Sequence, residues 1–348
     1  AGSASGKAGG FLARDWCDGP LAEFAQKSFD LHSDLASELG AENVGYRRLD
    51  TMSVAGKSGD RGPLPGVHGA EKVPARQVSG VDLPSWVDGA VLSAQALASS
   101  RTSAQVHPRL FTRAMFAKAQ ERGATLVKAR ATGITVEGGV TKVTLQESEP
   151  LECDVVVMAV GPWSGVLSDW GIKIPRITGQ KAHSICFRPP TPFTPHALFL
   201  QFQEKNGRTA DPEIYPRPDG EVYCCGASEP PTASLPRPAE VGPSQEPARN
   251  CRKSLPVSLP FSALPLLPQS RRATSLSAHL DTPLLAKWRT RRPCTWPRGT
   301  RVGVYSTLPP LGSLCQSLSW TAPARPSTSP LSPLDPLDRH HKNKQQIS

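Results

Sequence analysis

From Glu229 to Ser348 the chain carries no amphipathic period, so only the residues before that stretch can build a packed core. A segment folds when the apolar surface it buries outweighs the entropy lost on ordering it. Residues 251–348 offer little to bury. They hold 14 prolines, 14 Lys/Arg, three Asp and no Glu, a net of +11. The first 250 residues hold 26 Lys/Arg against 27 Asp/Glu, a net of −1. The basic character therefore belongs to the tail. A near-neutral body argues against a nucleic-acid partner. There is no run of about 18 apolar residues, hence no expected membrane-spanning helix. The eight cysteines are scattered, apart from adjacent Cys224 and Cys225, and lack metal-ligand spacing. No metal site is expected, and scattered thiols suit a reducing, cytoplasmic compartment.

Within the body, periodicity separates helices from strands. Ala22–Leu39 places Phe24, Phe29, Leu31, Leu35 and Leu39 mostly on one stripe and stops at Gly40. Pro108–Arg122 starts on a proline suited to the first helical turn and stops at Gly123. Leu92–Ser99 reads as a short helix, and Ser53–Pro84, rich in Gly, Pro and charge, as a surface loop. Thr125–Ala129, Gly133–Glu137 and Thr141–Gln146 read as strands. Glu152–Val160, "ECDVVVMAV", is an apolar run that suits a strand buried on both faces. Lys181–Ser228 alternates short β-rich runs with turns, and "RPDG" at Arg217–Gly220 is a hairpin signal.

The chain opens on "AGSASGKAGGF", small residues and glycines around Lys7 with no strand before them. A Walker loop needs Gly, four residues, then Gly-Lys-Ser/Thr. Gly6-Lys7 is followed by Ala8, and Gly56-Lys57-Ser58 has Thr51 where the first glycine belongs. The stretch fits better as a backbone-lined loop of a dinucleotide site, where no side chain blocks a flavin or pyrophosphate.

In order, "ASGKAGGFLARDW", "AQVHPRLFTRAMFAKAQERGATL" and "ECDVVVMAVGPWSG" resemble the FAD-dependent oxidoreductases of the D-amino-acid oxidase and glycine oxidase superfamily. The nearest branch is the eukaryotic one carrying "GKAGGFLA" after its Rossmann unit. The resemblance runs from Ala1 to about Glu240 and is most specific at Ser5–Leu12 and Asp154–Gly165. It implies an α/β (α+β) fold. Residues 1–180 would form a Rossmann-like FAD-binding domain lacking its first βαβ unit, with an inserted loop at 53–84. Residues 181–245 would form a mostly antiparallel substrate-domain sheet, and residues 246–348 a disordered or non-native tail. The family's G-x-G-x-x-G fingerprint does not occur here and would belong upstream of Ala1. The resemblance assigns Ser5, Gly6, Lys7, Ala8, Gly9 and Gly10 to the loop that passes isoalloxazine and pyrophosphate. It assigns Thr132 to backbone that meets the adenine, and Ala159, Gly161 and Trp163 to the A-x-G-x-W turn that closes over the dinucleotide. His107, His183 and Tyr223 are candidate pocket residues, with the structural reading favoured for each.

The family's C-terminal motif is permitted in another reading frame. Codons allowed by Lys287–Thr307, read from the third base of Lys287, permit "VEDEEAVYVATGHTCWGILN", and continuing through Trp320 and Thr321 permits "PATG", then "EL" and "DG". The expected slip lies near Pro243–Arg249. A gene-model error, a sequencing slip and a true frameshift allele are the alternatives, beside a genuinely disordered basic tail. By resemblance the function is hydride transfer from an amine or amino-acid carbon to FAD. The alternative is a non-catalytic remnant, or a binding or trafficking protein without bound FAD. No catalytic residue and no oligomeric state is assigned.

Overall fold

The computed structural model describes residues 4–57, 77–87, 91–137, 139–174, 177–203, 209–230 and 273–279. In chain order the elements are α1 (Ala4–Lys7), β1 (Phe11–Ala13), α2 (Ala22–Leu39), β2 (Arg47–Arg48), β3 (Asp50–Lys57), β4 (Gln77–Val78), β5 (Val81–Asp82), β6 (Val91–Ala98), β7 (Ser103–Gln105) and α3 (Pro108–Glu121). They continue with β8 (Ala131–Glu137), β9 (Val140–Leu145), β10 (Ser148–Cys153), a 3-10 turn (Gly161–Gly165), α4 (Val166–Asp169), β11 (Thr178–Phe187), β12 (His196–Gln203), β13 (Thr209–Ala210), β14 (Glu213–Pro216), β15 (Val222–Ser228) and β16 (Ala273–His279).

The large sheet runs β16-β11-β15-β14-β12-β3-β6, with β13 beside β12. It is antiparallel except where β12 lies parallel to β3, Leu198 opposite Met52. Its strands therefore come from both the expected substrate segment and the N-terminal half. A small sheet, β1-β7-β2, lies between this sheet and the helices. The period of two explains that placement. Phe11 and Ala13 face Leu49, Tyr215 and Tyr223 on one side. Leu12 faces Phe29, Val44 and Phe111 on the other. Each such buried phenylalanine stabilises the fold by about 1.5–3 kcal/mol.

Ala22–Leu39 is helical as expected and ends at Gly40 with φ 85°. Pro108–Glu121 likewise forms α3. At the "RPDG" hairpin the Gly220 N–H donates to the Arg217 carbonyl at 3.0 Å, and Gly220 takes φ 82°.

Four expectations are corrected. Val91–Ala98 is a strand, not a helix, because it pairs antiparallel with β3 and buries Val91 and Ala94 in the main core. Ser53–Lys57 belongs to β3 rather than to a loop, with Val54 fully buried. Residues 58–76 lie outside the described residues, and 77–82 form a tight hairpin. Thr125–Ala129 joins no sheet, and Leu126 and Val127 are exposed. Asp154–Val160 is likewise no strand. Val155 and Val157 are 72% and 65% exposed. An apolar run makes a buried strand only where strands flank it, and none among the described residues does. Ser148–Cys153 forms an unanticipated third strand against β9.

The expected tail contributes one described piece. Ala273–His279 lies antiparallel along β11, Ala182 opposite Ser275. No helix among the described residues is long and apolar enough to cross a membrane.

Candidate functional site

The loop Ser5–Gly10 begins in the single turn α1 and ends at β1. Two close approaches explain its glycines. A Cβ on Gly9 would stand 2.6 Å from the Tyr215 ring and 2.9 Å from that of Tyr223. A Cβ on Gly10 would stand 1.9 Å from the Val106 carbonyl, and its φ of 91° also favours glycine. Tyr215 and Tyr223 stack with centroids 6.0 Å apart, and Phe11 stacks on Tyr215 at 5.5 Å. The loop therefore lies on an aromatic floor supplied by β14 and β15.

Arg217 fastens that floor to the loop. Its guanidinium carbon lies 5.4 Å from the Tyr223 ring centroid, and Nη2 donates to the Ala8 carbonyl at 3.5 Å. Nη1 meets His107 Nε2 at 3.3 Å and pairs with Glu221. Arg217 is only 6% exposed. Burial, then the Arg217 charge, lowers the His107 pKa to about 4, so its ring is neutral and Nε2 accepts. Burial raises the Cys186 thiol to about 12 and pushes both Tyr215 and Tyr223 well above the ordinary phenol range. None of these groups is charged near neutral pH.

Two features of the loop suit an anionic ligand. The Ser5 hydroxyl is buried and has no hydrogen-bond partner among the described residues. Lys7 is a half-buried ammonium whose pKa burial lowers. An orphaned buried hydroxyl carries an unmet demand for a partner, so these residues fit a phosphate-bearing cofactor.

The other expected site residues are placed unevenly. Gly161 is buried with φ 58° and opens the 3-10 turn, which Trp163 also joins. Both that turn and α1 pack against β16, so Gly161 and Trp163 share a neighbour with Ser5–Lys7. Ala159 is half-buried in the segment leading to the turn. Thr132 stands apart. It lies on β8, which packs chiefly against β9, and its hydroxyl donates to the Thr144 carbonyl at 3.4 Å.

His183 is buried and meets Glu229 at 2.8 Å, a structural tie between β11 and the segment after β15. Tyr223 is the floor described above. Sequence reasoning missed Arg217 and Tyr215. Arg217 reads as a turn residue in "RPDG". The available signal was Glu221, four residues on and of opposite charge.

Comparison with known proteins agrees with this architecture. The family described as FAD dependent oxidoreductase matches residues 1–265, past the expected frame slip. A Schizosaccharomyces pombe protein named "Putative oxidoreductase C1F5.03c" is 29% identical over 246 residues, which cover 65% of this chain. The chain spans 59% of that curated relative's length. Glycine oxidase from Geobacillus kaustophilus has a similar fold, with TM-score 0.59 and 17% identity over 83% of this chain and 77% of that one. NikD, an amino acid oxidase of nikkomycin biosynthesis, superposes with TM-score 0.55 and 16% identity over 79% of this chain and 72% of its own.

Proposed function

The chain belongs to the FAD-dependent oxidoreductase family that matches residues 1–265, and on that premise we propose that it serves the amino-acid or amine oxidase branch of that chemistry, using Ser5–Gly10 as a cofactor loop. The observation that carries this reading is the buried, partnerless Ser5 hydroxyl beside half-buried Lys7, in a loop seated on Tyr215 and Tyr223.

When bound, FAD supplies the hydride acceptor for a substrate carbon bearing nitrogen. Ser5 would donate to a phosphate or flavin oxygen, and Lys7 would neutralise phosphate charge. Gly9 keeps the loop backbone low on the aromatic floor, and Gly10 lets it pass close to the Val106 carbonyl. Arg217 fixes the loop through the Ala8 carbonyl. Gly161 and Trp163, in the turn that also contacts β16, would contribute to closing the site. His107 is held neutral and tied to Arg217, so it orients rather than titrates near neutral pH. The substrate is a small amine or amino acid. The scattered spacing of the eight cysteines supports a cytoplasmic setting.

The exposure of Val155 and Val157 favours a second reading, in which the chain as given keeps the fold but holds FAD weakly. Restoring the reading frame after about residue 245 would then strengthen binding. One titration separates the two. Full chain is titrated with FAD while flavin fluorescence is followed. The first reading expects saturable binding, weakened about tenfold or more by Lys7→Met and by Ser5→Ala, as loss of a charge-assisted contact implies. Binding indifferent to both substitutions, or no saturation in excess FAD, would overturn it.

A further inference from the structure

A second group of buried polar atoms lies beside the cofactor loop, sharing Arg217 and His107 with the loop's support and adding Arg47 and Gln105, which the function proposed above does not use. Across the small sheet, Gln105 is paired with Phe11 on one side and Arg47 on the other. Residues directly opposite in adjacent strands present their side chains to the same face. Arg47 Nη2 donates to the Pro216 carbonyl at 2.5 Å, and the next residue is Arg217. Arg217 meets His107, two residues beyond Gln105. Gln105, Arg47, Arg217 and His107 thus close a ring of neighbours.

The hydrogen-bonding within this ring is unbalanced. Gln105 is wholly buried, yet neither its amide nitrogen nor its amide oxygen has a partner. The Nε atoms of Arg47 and Arg217 and the Nδ1 of His107 are also buried and unpartnered. Neutral His107 accepts at Nε2, so its proton sits on Nδ1, which makes that atom a donor. Donors therefore outnumber acceptors.

The charges are unbalanced in the same direction. Glu221 is taken by Arg217, and Asp219 by Arg188 at 3.0 Å. Among the described residues no carboxylate stands within ion-pair distance of Arg47; burial disfavours its charge, and Asp219, which favours it from further away, is already paired with Arg188. A half-buried guanidinium with no direct ion pair among the described residues, beside unfilled donors, suits an acceptor that carries negative charge.

We propose that Arg47, Gln105, His107 and Arg217 form an internal site for one small carboxylate or other monovalent oxyanion. A planar carboxylate supplies several acceptor positions and matches a guanidinium fork. The same chemistry could arrive as a free small acid or as the acid end of a larger ligand. The site is distinct from Ser5–Lys7 and needs no FAD, so its test is independent of the cofactor reading.

The test is calorimetric titration of the full chain with formate at constant ionic strength. Saturable binding is expected. Arg47→Met should weaken it about tenfold or more, as loss of a bidentate charged contact implies. Gln105→Leu should weaken it less, and Arg47→Lys should fall between the two because it keeps the charge and loses the fork. Arg122→Met, which removes an exposed arginine paired with Glu38, should leave binding unchanged. Glycine and methylamine then separate the two sources. Displacement of formate by glycine but not by methylamine assigns the site to the acid end of a larger ligand. Formate binding that glycine leaves untouched assigns it to a free anion. If Arg47→Met fails to fold, Arg47→Lys and Gln105→Leu carry the decision. No saturable formate binding by natively folded chain means that water alone fills the ring, and the proposal fails. Equal binding by wild type, Gln105→Leu and Arg47→Lys overturns it as well.

Discussion

Arg217 lies over the face of Tyr223, its guanidinium carbon 5.4 Å from the ring centroid, while its terminal nitrogen reaches the carbonyl of Ala8 more than two hundred residues earlier in the chain. This contact joins the hairpin between β14 and β15 to the glycine loop. Because the arginine is nearly buried, its pairing with Glu221 governs what its removal would do.

Arg217→Met should be strongly destabilising. It leaves the Glu221 carboxylate, 12% exposed, without its cation. Breaking one partner of a buried pair costs about 3–5 kcal/mol, whereas replacing both with apolar groups is often near neutral. Arg217→Met/Glu221→Leu should therefore recover most of the loss. Urea unfolding measures both variants. A single-variant loss below about 1 kcal/mol, the ordinary worth of an exposed pair, would show the site to be wetter than described.

Gly9→Ala and Gly10→Ala should separate crowding from backbone strain. The first forces a methyl group against two stacked rings at 2.6 and 2.9 Å, an overpacking worth about 1–3 kcal/mol. The second meets the Val106 carbonyl at 1.9 Å and adds a left-handed φ, so it should be the more damaging. Gly171→Ala has φ 77° with nothing within 4 Å, and should show the strain alone, about 1–2 kcal/mol. Thermal unfolding should rank the three with Gly10 worst and Gly171 mildest. A Gly9 variant as stable as wild type would mean that the loop does not rest on Tyr215.

Val155→Thr/Val157→Thr should leave folding stability within about 0.5 kcal/mol, the usual range for exposed positions. It should also reduce self-association, because both valines face solvent in an unpaired extended segment. Concentration-dependent light scattering reads the second effect. A large stability loss would place these side chains inside a core.

Much of the fold was legible wherever one element's own residues decide its state. Ala22–Leu39 was readable because its apolar stripe and Gly40 are local, and the Arg217–Gly220 hairpin because turn chemistry is local. Val91–Ala98 was not, since leucine and alanine suit a helix and only pairing with β3 makes it a strand. Asp154–Val160 failed in the opposite sense: its apolar composition specifies a buried strand, but burial depends on neighbours that the segment does not name. In the candidate site, Ser5–Gly10 was visible as a cluster of small residues. Arg47, Gln105 and Arg217 were not, because their shared neighbourhood arises only when three distant segments fold together.

His107 should make the protein lose stability in mild acid. Its pKa falls from an ordinary 6.5 to about 4, first because burial disfavours the charged ring and second because Arg217 stands beside it; Asp219 opposes both effects. The folded pKa is thus below the unfolded one. Between the two values the unfolded chain binds more protons, so stability rises with pH across that window. The contribution is fully present above the unfolded value and lost as pH falls through about 4. The ring is only half-buried, and solvent screening reduces the effect to about 1–2 kcal/mol. His32 acts in the same direction, since burial also lowers its pKa, and it should retain part of the pH dependence. His107→Gln keeps an acceptor for Arg217 and removes the titration. Urea midpoints measured between about pH 4 and pH 7 should therefore slope less steeply in that variant than in wild type. Identical slopes would mean that His107 titrates as it does in water and that Arg217 does not approach it.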